Sequence, residues 1–369
     1  MRIRKTMMGA VLALVLLPLP WVQAADSEFK YDILKLPAVP SDMAAKSMIY
    51  TVKKFGDRYF ATGHHGHILY SDDGGESWTQ AEVPVRSSIL DIDFPTPERG
   101  YAVGHEGVIL TSEDGGKTWV KRFDGLQYSK EGLAYYQKLA EENPDNEAYP
   151  RYVGEMEFSM SQGADKPFFR VECLTELQCY AVGAYGMLVL TEDGGKTWVP
   201  RLHTVENDSF YHVFDFSPLP GDGRYFLAGE AGLFMVADVS NPDKEQRYAK
   251  KVHSVPWEGS FFTAVDTADG AVVFGGLRGR MFRTADAGDT WVVVEKPPTS
   301  AIVDSVRLSD GRLVAVGVAG EVLVSADNGL SFTRANVGEL GRVNAVAEGP
   351  GNTLILGGPK GLRKITLPQ

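Results

Sequence analysis

Seven times along the chain an apolar run leads into a glycine, two variable residues follow, and a second glycine opens another apolar run. Residues 101–119, YAVGHEGVILTSEDGGKTW, show the pattern in full. The glycine pairs are Gly63 and Gly66, Gly104 and Gly107, Gly183 and Gly186, Gly229 and Gly232, Gly276 and Gly279, Gly317 and Gly320, and Gly358 and Gly361. Successive first glycines lie 41, 79, 46, 47, 41 and 41 residues apart. That period is the length of a four-stranded propeller blade, and the long interval is one period plus an insertion. Two apolar runs joined at a Gly-x-x-Gly step read as a tight hairpin, with the glycines expected to supply the backbone angles of its turn.

Fixed offsets follow the second glycine: a hydroxyl five residues on, an Asp at seven and an aromatic at twelve. Five copies keep this register: Ser71, Asp73, Trp78; Ser112, Asp114, Trp119; Thr191, Asp193, Trp198; Thr284, Asp286, Trp291; and Ser325, Asp327, Phe332. A short carboxylate in such a turn accepts bonds from the amides that follow it. The aromatic has a large area to bury, best placed between neighbouring blades. A calcium or catalytic role for these Asp residues is the weaker reading, because a catalytic group is not repeated five times around a ring. Repeat four departs, with Val239 where the Asp belongs.

The predicted fold class is therefore all-β: a seven-bladed propeller of four-stranded antiparallel blades, about 28 strands in all. Residues 29–36 alternate as a strand ahead of the first repeat, while the last repeat stops before its acidic turn. The N-terminal strand is thus expected to complete the last blade and remove its open edge. One helical insertion after blade 2, residues 125–167, is predicted to hold a helix at 131–142 that breaks at Asn143-Pro144, followed by irregular chain. Joining the last strand of one blade to the first of the next, it should emerge on the face of the Gly-x-x-Gly turns. Tyr135, Tyr136, Tyr149 and Tyr152 favour a packed cap over a loose loop.

Composition adds an address. Residues 1–24 carry Arg2, Arg4 and Lys5, an apolar stretch interrupted by Pro18 and Pro20, and Val22-Gln23-Ala24, the features of a cleaved secretory signal. The apolar stretch is short for a membrane span and no Cys offers a lipid anchor, so no direct membrane anchor is expected and residues 25–369 should form a single periplasmic domain. Without the signal, 34 basic stand against 48 acidic residues, about −14, which argues against nucleic acid as a partner. Cys173 and Cys179, the two cysteines, flank a hairpin connection and in a secreted chain are expected to form a disulfide.

The hydroxyl-x-Asp-x-Gly-x-hydroxyl-aromatic turns are Asp-boxes, the bacterial neuraminidase repeat. With the Val-Gly-x-x-Gly hairpin before them, the chain from about residue 29 onward resembles the photosystem II stability and assembly factor family and its relatives in non-photosynthetic bacteria. The resemblance implies a non-enzymatic factor that binds newly made membrane-protein subunits. Some relatives outside photosynthesis accompany envelope exporters of the resistance-nodulation-division type, and for these the resemblance implies an envelope complex as partner. The chain departs from the family in its negative charge and its helical insertion.

The variable turn positions should ring one mouth of the central channel. Taken singly each is a solvated turn residue; together His64, His65, His105, Glu106, Tyr185, Glu230, Arg278 and Lys360 make a candidate partner-binding surface. His64, His65, His67 and His105 raise a metal reading, disfavoured because adjacent histidines on a tight turn point apart. No metal and no other cofactor is expected. The alternative is a glycoside hydrolase, sialidase-like or glucan-cleaving, since Asp-boxes also decorate sialidases and some glucan hydrolases. It would need two carboxylates about 5–9.5 Å apart, for which only Glu106 and Glu230 stand as nominees, and the Arg-Ile-Pro element of sialidases is missing. The sequence leaves the oligomeric state open.

Overall fold

The computed structural model describes residues 32–221, 223–239, 241, 247–297 and 299–368. Their strands form seven antiparallel sheets, each made of strands consecutive in the chain. The first strand of every sheet touches that of the next, and the last returns to the first, so the seven innermost strands close around one axis. They are Ile49–Phe55, Ile89–Asp93, Phe168–Cys173, Val213–Pro218, Phe261–Asp266, Ile302–Arg307 and Ala345–Glu348, and they number blades 1 to 7. Neighbouring blades pack face to face over apolar cores.

The Gly-x-x-Gly step works differently from a simple hairpin turn. At Gly63, Gly104, Gly183, Gly229 and Gly276 the backbone is extended, with φ between −157° and −172°, and any residue adopts such an angle. What excludes a side chain is contact: a Cβ at Gly104 would lie 2.1 Å from the carbonyl oxygen of Ser88, which leads into the innermost strand. The left-handed angles fall on the second variable residue and the second glycine, as at Glu106 (φ 57°) and Gly107 (φ 63°). The first glycine thus lets two strand ends approach, and the second turns the chain.

The Asp-boxes hold the opposite ends of the blades. In blade 2, Asp114 accepts the amides of Lys117 (3.1 Å) and Thr118 (3.0 Å) and the Thr118 hydroxyl (2.7 Å), while the Ser112 hydroxyl donates to Asp114 (2.9 Å) and accepts the Gly116 amide (2.9 Å). The carboxylate is consumed by its own turn. At Asp73 the Ser77 hydroxyl, the Ser77 amide and the Ser71 hydroxyl hold the carboxyl well below the usual range. The aromatics lie between blades as expected: Trp119 joins Phe60 of blade 1 in one core, Trp198 meets Tyr101 of blade 2 edge-on, and Trp291 meets Phe234 of blade 4.

Ring closure departs from expectation. The last sheet has three strands, ending at Arg363–Thr366, so the described residues contain 27 strands rather than about 28. Residues 29–31 lie outside the described residues, and 33–36 form a turn against blade 1, not a strand on blade 7: Arg86 N–H donates to the Ile33 carbonyl at 2.8 Å, Ala38 N–H to Val83 at 2.9 Å, and Leu34 buries beside Val83 and Val85. Pro37 and Pro40 lack amide donors and keep this stretch from joining a ladder. Blades 7 and 1 instead meet through side chains and turns. Ile49, Val52 and Tyr59 pack on Ala345, Ala347 and Ile355; Leu362 N–H donates to Ala45, and Lys364 pairs with Glu76 at 2.6 Å.

The insertion is also more ordered than its sequence suggests, with two helices, α1 (Gly125–Glu142) and α2 (Tyr149–Gln162), where one helix and irregular chain were expected. Asp124 caps α1 by accepting the amides of Leu126 and Gln127, so the helix starts six residues before the expected Glu131. Tyr128, Tyr136, Tyr152 and Met156 bury against Phe168 and Leu202 of blade 3. Gly125 sits against the Gly107 turn, which puts the insertion on the Gly-x-x-Gly face. Cys173 and Cys179 pair across the first hairpin of blade 3, Cα atoms 4.0 Å apart, joined as a disulfide. Among the described residues no helix is long and apolar enough to cross a membrane.

Two substitutions test these assignments by urea unfolding. Trp119→Ala should cost about 3–5 kcal/mol by emptying the seam between blades 1 and 2. Gly104→Ala should cost about 2 kcal/mol or more although its φ suits alanine; a variant as stable as the parent contradicts the close-approach reading.

Candidate partner-binding site

The centre of the Gly-x-x-Gly face is built by a repeated irregularity. In blades 1 to 6 the pairing of the innermost strand slips by one residue just after its first position, between Ile49 and Thr51, Ile89 and Asp91, Phe168 and Arg170, Val213 and Asp215, Phe261 and Thr263, and Ile302 and Asp304. Each slip is a β-bulge, which frees one side chain from the alternation of the strand. The freed residues are Tyr50, Leu90, Phe169, Phe214, Phe262 and Val303, and with Asn344 of blade 7 they line a cavity of about 460 Å³. Because the slipped positions pair with the first glycines, this collar lies at the mouth ringed by the turns.

Apolar contacts continue outward from the collar. Phe214 meets Phe169 (5.2 Å between centroids) and Phe262 (5.3 Å). His212 lies tilted against Phe169 and edge-on to Phe214, and Tyr185 lies 4.9 Å from His212. The buried Lys166 ammonium, held by Glu155 (2.7 Å) and Ser159 (2.6 Å) of α2, sits over the rings of both Tyr185 and Phe158. Phe158 is 53 % exposed and Tyr185 49 %. An apolar path thus runs from α2 across the blade 3 turn into the channel.

Below the collar the wall is polar, and its side chains stitch neighbouring blades together. Lys53 pairs with Asp91 at 2.7 Å, Asp91 accepts the Val171 amide, and Arg170 lies 3.4 Å from Asp215. Thr263 shares a hydrogen bond with Ser305, Asp304 accepts the Val346 amide at 2.8 Å, and Asn344 donates to the Ile49 carbonyl at 2.9 Å. These groups occupy the open edge of each innermost strand, where no further strand supplies a partner. Burial pushes the Asp304 carboxyl up to about 7, against the bonds from Val346 and Ser305. Burial likewise lifts Glu172 to about 7, although Arg170 works against it.

The residues nominated from sequence all sit on the turns around this mouth, but none lines the cavity itself. His64 is drawn inward: its Nδ1 lies 2.9 Å from the Ser88 hydroxyl and its ring against Tyr50. Burial, then the neighbouring His65 and His105, holds its pKa below the ordinary histidine value. His65, Arg278 and Lys360 are exposed, and His105 is half-buried. Tyr185 donates its amide to His212 Nδ1 at 3.1 Å, and Glu230 accepts the His212 amide at 3.2 Å. Glu106 is half-buried, with Oε2 lacking a hydrogen-bond partner. Glu106 and Glu230, the nominated hydrolase pair, stand on the turns of blades 2 and 4 with blade 3 between them. Among the described residues no three His, Cys, Asp or Glu side chains converge as a metal site. The collar and His212 escaped the sequence reading. Their signal was the doublets Phe168-Phe169 and Phe261-Phe262, which break the alternation a half-buried strand should keep.

Seven bladed sheets, five Asp-boxes and a collared axial cavity define an Asp-box β-propeller. The model of the family described as photosynthesis system II assembly factor YCF48 matches residues 75–146 and 160–352, and the BNR/Asp-box repeat matches residues 69–80. The chain belongs to the YCF48 family. Solved structures with similar folds include YCF48 from Cyanidioschyzon merolae (15 % identity, 89 % of this chain and 98 % of that chain, TM-score 0.60) and YCF48 bound to D1 peptide (14 %, 88 % and 95 %, 0.59). The WD40 β-propeller domain of Doa1 is similar too (11 % identity, 91 % and 96 %, TM-score 0.59). At these identities the likeness is one of fold. No curated protein matches the chain.

The channel carboxyls and the Asp-boxes pull stability in opposite directions with pH. Asp304 and Glu172 have folded pKa values raised from 3.8 and 4.5, so the stability they contribute is present below about pH 4 and lost as pH rises through 7. Asp73 is depressed, so its contribution is present above 3.8 and lost as pH falls below it. The melting temperature should therefore fall between pH 5.5 and pH 8, and Asp304→Asn should flatten that slope. An unaltered slope in the variant contradicts the assignment.

Proposed function

We propose that this protein is a non-enzymatic periplasmic binding and assembly factor, which captures a membrane-protein subunit of an envelope complex on its Gly-x-x-Gly face. An exporter of the resistance-nodulation-division type is the client class that the family resemblance brings in. The observation that carries the reading is the path of half-exposed rings, Phe158, Tyr185, His212, Phe169, Phe214 and Phe262, running across one face into the channel. Clustered exposed aromatics bordered by polar groups mark protein-binding surfaces, and aromatic anchors at a pocket contribute most of the affinity in such interfaces. Membership of an assembly-factor family points the same way, and a similar fold has been solved with a peptide of D1 bound.

The test is site-specific photocrosslinking in intact cells. A photoreactive residue at Tyr185 should capture an integral membrane protein. The same group at Lys117, exposed on an Asp-box, should not. Phe158→Asp, on the exposed ring of α2, should cut capture from the Tyr185 position at least fivefold while leaving the melting temperature within a few degrees. Equal capture from the two faces, or capture untouched by Phe158→Asp in a folded variant, contradicts the proposal.

A further inference from the structure

The charged groups on the channel wall beneath the collar are unevenly paired. The channel is lined by four carboxyl groups, Asp91, Asp215, Asp304 and Glu348, and four cations, Lys53, Lys54, Arg170 and Arg307. Of the cations, Lys53 and Arg170 are engaged on the side of blades 1 to 4. Lys53 pairs with Asp91, and Arg170 lies within 4 Å of Asp91, Glu172 and Asp215. Further along, Lys54 sits over the Tyr59 ring and Arg307 pairs with Asp266 at 2.8 Å. Asp304, on the opposite wall, receives only the amides of Ser305 (2.9 Å) and Val346 (2.8 Å) and has no ion-pair partner among the described residues. It lines the cavity next to the neutral Thr263, Ser305 and Asn344.

Resting on the reading that the Gly-x-x-Gly face receives a partner, we propose that the cavity is a receptor for one primary ammonium group, the tip of a lysine side chain in an extended partner segment, which pairs with Asp304. The collar and the wall divide the recognition between them. Rings of Phe169, Phe214, Phe262 and Tyr50 cover the methylene stem and attract the cation by their faces. Asp304 follows Val303 of the collar by one residue, roughly 3 Å along the strand, within reach of a lysine that enters the mouth. Each oxygen of Asp304 already accepts one amide, Ser305 on Oδ1 and Val346 on Oδ2, so the carboxylate offers no free two-oxygen edge to a guanidinium, while an ammonium can bond one remaining lone pair. A divalent ion would require several converging anionic ligands, which the described residues do not bring together.

The experiment is titration of the full mature chain with four labelled, amidated pentapeptides, followed by fluorescence anisotropy. The first is acetyl-capped with lysine between leucines. The second and third replace that lysine with acetyl-lysine and norleucine, and the fourth has norleucine and a free amino terminus. The lysine peptide should bind at least tenfold more tightly than the other three, and Asp304→Asn should abolish that preference without abolishing folding. Should the variant fail to fold, the lysine against acetyl-lysine comparison on the parent chain decides. Equal binding of those two, or a preference that survives Asp304→Asn, overturns the inference; tighter binding of the free-terminus peptide overturns the lysine assignment. Loss of lysine preference with photocapture from Tyr185 intact would remove this inference and leave the binding face standing.

Discussion

A blade of this protein cannot hide its own surfaces. Each sheet is apolar on both faces, and only the neighbouring blades cover them, so the structure depends on closing the circle. In the five copies that keep an Asp-box, the aromatic twelve residues past the second glycine works on that seam: Trp119 reaches Phe60, Trp198 reaches Tyr101, and Trp291 reaches Phe234, each in the preceding blade. The Asp-box holds the aromatic in place by saturating its carboxylate within the turn. At the axis a second system operates, in which Asp91, Arg170, Thr263, Asp304 and Asn344 tie each innermost strand to the next. Between blades 4 and 5 the Phe214–Phe262 contact takes that role.

This division explains why much of the fold was legible in the sequence. The seam aromatics and glycine pairs recur at fixed offsets, and a repeated offset needs no knowledge of what lies across the seam. Closure was less legible. Residues 29–36 alternate, but alternation states only that a stretch has two faces, and the neighbouring Pro37 and Pro40 direct the described part along blade 1. Blade 7 has three strands among the described residues, and Ile49, Val52 and Tyr59 of blade 1 cover its face. The insertion misled in a similar way: Asp124 belongs to the repeat by position, yet it serves as the cap that starts α1 early.

The site was half visible. The turn residues could be placed on a common face because their offsets are fixed, but the collar arises from bulges, and a one-residue slip leaves no offset of its own. Phe169, Phe214 and Phe262 read as core residues in a strand and become the lining of a mouth only when the strands are assembled into a ring. His212 illustrates the same point, since it precedes the strand by one residue and gains its role from Tyr185 and Glu230, which come from the blade 3 and blade 4 turns. Chemistry set by single residues was readable; chemistry set by convergence of blades was not.

The account stands on the collar face being the surface that meets another protein. Hydrogen–deuterium exchange of the chain alone and in complex with its captured membrane-protein partner tests this most directly. Protection gathered at 168–170, 184–186, 212–215, 261–263 and on α2, with the Asp-box turns unchanged, is the predicted result. Protection confined to the Asp-box turns, or spread evenly over both faces, would contradict it.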